Sequence, residues 1–171
     1  MINTIITPMD GTEQSDNALR FASEIAEKYG AKLILVHALL RGTSVPAMQE
    51  IADSKGFLEQ VGDDLAQVET IPIATVAGVA APMEVLSNET LDKFGRLLLK
   101  SAADAVTGVD DIQTHVVDGD PARAILQCAE EEQADLIAIG SHGVGDLKSL
   151  LLGSVSHKVI EEATCPCVVV K

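Results

Sequence analysis

The sequence predicts an α/β protein: an open, parallel, five-stranded sheet with helices on both faces. Two observations predict it. Short apolar runs alternate with stretches of helical periodicity along the chain. The runs are unbroken rather than alternating, as in strands covered on both faces, and such strands belong to parallel sheets. Composition adds a third. The 171 residues are 47% hydrophobic and 22% charged, which suits a folded domain with its own core and excludes a disordered chain.

Each element has a local cause. Ile2 to Pro8 is apolar and stops at Pro8-Met9-Asp10-Gly11, a buried strand ending in a turn. From Gln14 to Tyr29, Ala18, Phe21, Ala22, Ile25, Ala26 and Tyr29 recur at helical spacing, and Gly30 stops the helix. Lys32 to Leu40 is a second strand, with Leu33, Ile34, Leu35 and Val36 in a row. Asn88 to Val106 is helical, with Leu91, Leu98, Ala102 and Val106 on one side. Ile112 to Val117 is a third strand. Asp120 then caps a helix that opens on Pro121 and buries Ala122, Ile125, Leu126 and Ala129. Ala134 to Ile139 is a fourth strand, ended by Gly140. Ser154 to Ala163 is a last helix, and Val168 to Val170 is the closing strand. No internal repeat is evident.

Residues 41–87 follow no clear pattern. Met48 to Val68 is weakly helical but interrupted by Gly56 and Gly62, and IPIATVAGVAAPMEVL is apolar without a period. The segment reads as an insertion of uncertain structure in a single domain spanning 1–171. It serves either as a flap folded onto the domain or as a partner surface.

Charge and residue usage exclude several function classes. Net charge is −14, and no cluster of Lys and Arg offers itself to a phosphate backbone, so nucleic acid and anionic membranes are not expected partners. Aromatics are only 2%, too few for base-stacking surfaces. The first basic residue is Arg20, so no signal peptide is expected. The longest low-charge run, Thr70 to Met83, is too short to span a bilayer. Cys128, Cys165 and Cys167 fit reduced thiols in a cytoplasm. Cys165-Pro166-Cys167 lacks CxxC spacing and a second ligand cluster, so it reads as part of a core strand rather than a redox or metal pair.

In parallel sheets, ligands bind at the carboxyl ends of the strands, where strand order reverses. Two features lie at such ends: Asp10 after the first strand, and GSHGVGDLKSLLLGS after the fourth. Gly140 and Gly143 leave backbone bare there. Gly153-Ser154 opens a helix, whose first-turn N–H groups at Ser154, Val155 and Ser156 lack intrahelical partners and carry partial positive charge. With the hydroxyls of Ser154 and Ser156, this makes a phosphate site built from backbone. The Asp10 carboxylate suits ribose hydroxyls or an adenine amino group. Backbone groups of Ala38 suit the adenine edge. Glycines after strands also make ordinary turns, and Gly-Ser also caps helices. The joint spacing with Asp10 favours a ligand.

On these residues the chain resembles the universal stress protein family, apart from residues 41–87. Gly140, Gly143, Gly153 and Ser154 match the G-x2-G-x9-G-[ST] of its nucleotide-binding branch. Pro8-Met9-Asp10-Gly11-Thr12 is similar to its Pro-x-Asp-Gly-Ser, and Leu35-Val36-His37-Ala38 to its strand ending in His-Val, with Ala38 in place of valine. The resemblance implies a Rossmann-like, adenine nucleotide alpha hydrolase-like sheet of order 3-2-1-4-5. It also implies bound ATP or AMP with Mg on the phosphates. It places Pro8, Asp10 and Ala38 near base and ribose, and Ile139, Gly140 and Gly143 along ribose and phosphates. Gly153, Ser154, Val155 and Ser156 would hold the phosphates. It further implies a homodimer through the last strand, whose apolar edge, Cys165 to Lys171, calls for cover on its own account.

The expected function is a cytoplasmic nucleotide-binding stress-response regulator acting through nucleotide-dependent shape or a regulatory protein partner. One alternative is a slow ATPase or self-phosphorylating enzyme using Ser154 or Ser156. Another is a nucleotide-free, chaperone-like dimer. No catalytic base, Walker motif or kinase motif stands out, and His142 and Lys148, in the loop and candidates to touch phosphate, read better as exposed loop residues.

Overall fold

The computed structural model describes residues 1–74, 80–144 and 152–171, and the backbone alone of 70–74 and 80–84. Five strands form one parallel sheet: β1 (Thr4–Pro8), β2 (Lys32–Ala38), β5 (Ile112–Val117), β6 (Leu136–Gly140) and β7 (Cys167–Val170). Their order across the sheet is β5-β2-β1-β6-β7, which is 3-2-1-4-5 counting these strands alone. The central strands are aliphatic and buried on both faces. Odd-numbered Ile5, Leu33 and Leu35 pack under α1 (Glu13–Tyr29) and α4 (Asn88–Asp104). Even-numbered Ile6, Ile34 and Val36 pack with residues of α5 (Pro121–Glu131) and α6 (Ser154–Glu162).

Three helices start where the sequence supplies a side-chain cap. Thr12 Oγ1 accepts from the Ser15 N–H, Ser87 Oγ from the Thr90 N–H, and Asp120 Oδ1 from the Arg123 N–H. Gly30 ends α1 in the left-handed conformation at φ 63°. Observed boundaries differ from the predicted ones by one or two residues, the usual uncertainty at frayed ends.

The segment after β2 holds the main surprise. Its weakly helical part is two helices, α2 (Val45–Ser54) and α3 (Leu58–Leu65), broken at Gly56, where φ is +75°. Gly62 is accommodated inside α3. The aperiodic apolar part is a hairpin of β3 (Glu69–Ala74) and β4 (Ala80–Val85), in antiparallel register with Ile71 opposite Met83. Met48, Ile51, Ala52, Phe57, Val61 and Leu65 join Leu91, Phe94 and Leu98 of α4 in a third apolar cluster. The two helices therefore lie on the domain as a flap, with Lys55 of their junction paired to Asp16 of α1. Among the described residues no helix is long and apolar enough to cross a membrane.

Met48 is fully buried in this cluster. Met48→Ala is expected to cost about 2–4 kcal/mol in a single cooperative unfolding transition. Chemical denaturation followed by circular dichroism checks this. A separate early transition would show that α2 and α3 fold apart from the sheet.

Candidate functional site

Strand order reverses between β1 and β6, and a cavity opens above their carboxyl ends. It holds about 730 Å³ of free space, open solvent at its mouth included. Pro8, Met9 and Asp10 reach it from β1, Val36, Ala38 and Leu40 from β2, and Ile139, Gly140, His142, Gly143 and Val144 from β6 and the loop beyond. Ser154, Val155 and Ser156 of α6 close one end, and Pro121 and Ile125 of α5 form a wall. Every sequence-predicted site residue lines this cavity except Gly153, which is buried just behind it.

Several bonds fix the rim. Asp10 Oδ1 accepts from the Thr12 N–H at 3.0 Å and the Thr12 hydroxyl at 2.7 Å. Its Oδ2 accepts from the Val144 N–H at 3.0 Å. The carboxylate thus joins the start of α1 to the glycine loop, and its remaining lone pairs can still accept from a ligand. The Gly153 N–H donates to the Ser141 carbonyl at 2.8 Å, and the Ser141 N–H to Val170 at 2.7 Å.

Two expectations change in detail. The Ser156 hydroxyl donates to the Gly140 carbonyl at 2.7 Å, buried. Its one proton ties α6 to β6, so it is not offered to a ligand from there, and of Ser156 the backbone N–H is the remaining donor. Gly140 has a packing cause beside any ligand cause. A Cβ there would lie 2.8 Å from the Gln14 carbonyl carbon and 2.9 Å from its oxygen. The first turn of α1 occupies the space.

No lysine or arginine is among the described residues that line the cavity. Two described cations near it are paired. Arg41 makes a two-pronged pair with Asp118 at 2.8 and 2.7 Å, joining the chain after β2 to the chain after β5 and holding the Asp118 carboxyl below its usual range. Lys158 lies 3.2 Å from Asp120, whose carboxyl is held low first by the Arg123 N–H and then by this lysine. At the opening of α6, Gly153 supplies no side-chain cap and the first turn carries no acid. The positive end of the helix therefore lies at the cavity with no acidic side chain in its own first turn. His142 is half-buried at the cavity wall, its Nδ1 3.1 Å from Ser141 Oγ. Gly145 and Lys148 lie outside the described residues.

Sequence reasoning missed Leu40, Pro121, Ile125, Ser15 and Val144. Pro121 and Ile125 were findable, because every loop following a parallel strand ends at the same edge of the sheet. Val144 carried no signal, since its part is a main-chain N–H. The cysteines are all free. Burial pushes the Cys128 thiol up to about 11, and raises Cys165 and Cys167 too, so none is an activated nucleophile.

A doubly wound sheet with a cleft at its switch point places the chain among the open α/β proteins. The model of the universal stress protein family matches residues 1–171. A universal stress protein of Thermus aquaticus is 31% identical over 174 residues, with all of both chains covered. The universal stress protein YxiE of Bacillus subtilis is 31% identical over 177 residues, again with all of both covered. The fold is similar to that of a universal stress protein crystallised in complex with cAMP, at a TM-score of 0.58 and 23% identity, with 99% of this chain and 96% of that one covered. The chain belongs to the universal stress protein family.

Replacing Gly140 by alanine sets a Cβ against backbone atoms that cannot rotate away. The expected loss is about 1–3 kcal/mol of stability without any ligand present. The denaturation midpoint of the ligand-free variant measures it. An unchanged midpoint would leave ligand access as the sole reason for glycine.

Proposed function

We propose that this stress-response family member binds an adenine nucleotide, AMP or ATP, in the cleft above β1 and β6, and that occupancy sets which surface it shows to a partner. The carrying observation is the opening of α6. Ser154, Val155 and Ser156 line the open cleft at the positive end of a helix; among the described residues no lysine or arginine lines the cleft, and the helix carries no acid in its first turn. Close dipoles act on an anion more strongly than the distant, screened negative charges of the surface. Such an arrangement suits phosphate oxygens. Asp10, across the cavity, suits a ribose hydroxyl. The apolar wall of Val36, Leu40, Pro121 and Ile125 suits the flat face of a purine. A universal stress protein of similar fold in complex with cAMP supports an adenosine phosphate as the class of ligand.

A divalent ion fits only through the nucleotide. Among the described residues no three His, Cys, Asp or Glu side chains converge as metal ligands, so Mg would be held by phosphate oxygens and water. Its chemistry would be charge neutralisation on those phosphates. A regulatory rather than enzymatic role is favoured, because the Ser156 hydroxyl is committed to Gly140 and no base among the described residues is bonded to Ser154. The half-buried, apolar β7 edge is the surface we assign to a homodimer, in the cytoplasmic setting that free thiols suit.

Ser154→Pro isolates the claim. Ser154 is the first helical residue, where proline is tolerated, and Gly153 already has the φ −69°, ψ 159° that a residue before proline adopts. The substitution removes one N–H and one hydroxyl and leaves the helix intact. AMP affinity is expected to fall by about tenfold or more, with adenosine affinity within about twofold. Calorimetry with both ligands checks it. Equal losses for the two, or none for AMP, would contradict a phosphate at this helix end.

A further inference from the structure

Behind the sheet, on the face opposite the cavity, His37 is fully buried. Its Nδ1 lies 2.8 Å from the Met9 carbonyl oxygen. A carbonyl only accepts, so Nδ1 carries the proton and Nε2 is the acceptor. Among the described residues that Nε2 has no hydrogen-bond partner. Burial also lowers the ring's proton affinity, which keeps it neutral. Leaving a buried acceptor unpaired is costly. The ring is nonetheless accommodated at a further cost: α4 has Gly95 at the contact, a poor residue for a helix interior. A Cβ at Gly95 would lie 2.6 Å from His37 Cδ2, 3.3 Å from Nε2 and 3.2 Å from Val116 Cγ1. Both penalties are accepted for one bond, the one to Met9.

Met9 is the residue before Asp10. Its N–H donates to the Val36 carbonyl at 2.8 Å, and its carbonyl accepts from His37. Both halves of the Met9 backbone are therefore tied to β2. Asp10 begins where this tether ends, and its carboxylate organises Thr12 and Val144 on the rim.

We infer that His37 is a positioning residue for the cleft: through the Met9 carbonyl it fixes the turn that aims the Asp10 carboxylate, without touching the ligand. The consequence for affinity rests on the adenine-nucleotide reading above. The consequence for Asp10 does not.

Asn and Leu share the same branched pattern of heavy atoms, and both remove the ring. Asn can place its Nδ2 donor where Nδ1 stands, whereas Leu cannot. The test compares H37N and H37L with the wild-type chain in two ways: the amide resonances of Thr12 and Val144 without ligand, and AMP affinity by calorimetry. The two amides are expected to move in H37L and to stay near their wild-type positions in H37N. AMP affinity is expected to fall about tenfold in H37L and about twofold or less in H37N. Variants indistinguishable in the amide readout would overturn the inference. Should the wild-type chain bind no AMP, the functional reading falls and the amides alone decide. Should a His37 variant fail to fold, G95A takes its place, since it presses on the ring from α4. Movement of the Thr12 and Val144 amides in G95A supports the tether, and unchanged amides overturn it.

Discussion

The buried hydrogen bond from Ser156 Oγ to the Gly140 carbonyl is the constraint on which the cleft depends. A parallel strand ends with carbonyls and amides that no longer have a ladder to join. At Gly140 one of these is met by a side chain from the first turn of the next helix. That single bond sets the distance and tilt between the end of β6 and the start of α6. Ser154 to Ser156 line the cavity because the helix is held there. The Gly153 N–H, bonded to Ser141, holds the approach from the other side.

Around that joint, the loops of β1, β2 and β5 are stitched together by polar contacts of different kinds. Asp10 links β1 to the glycine loop by accepting a main-chain N–H. Arg41 and Asp118 link the chain beyond β2 to the chain beyond β5 at an exposed ion pair, which orients more than it stabilises. Lys158 and Asp120 link α6 to α5. The apolar sheet beneath supplies the stability, and the loops supply direction. Loops at this edge can vary without the core being rebuilt.

The sheet was legible in the sequence because its signals are local. Leu33 to Val36 form an unbroken aliphatic row whatever packs on them, and Gly30, Asp120 and Pro121 mark helix ends by their own backbone chemistry. The gathering of Asp10, Gly143 and Ser154 was also legible, since topology alone brings strand ends together. What was illegible depends on tertiary approach. Gly140 read as open backbone for a ligand, but its Cβ is excluded by Gln14 of a helix far away in sequence. Gly95 read as nothing until His37 was seen against it. The stretch after β2 failed for another reason. Two short helices split at Gly56 and a hairpin pairing Pro72 with Pro82 present neither period long enough to register.

The account comes down to where an anion sits. Titrating the ¹⁵N-labelled chain with AMP, and in parallel with adenosine, reads this residue by residue. The account predicts that AMP shifts the amides of Ser154, Val155 and Ser156 strongly, while adenosine moves only the residues about Asp10 and Ala38. Amides at the start of α6 that respond to neither ligand, or equally to both, would contradict it.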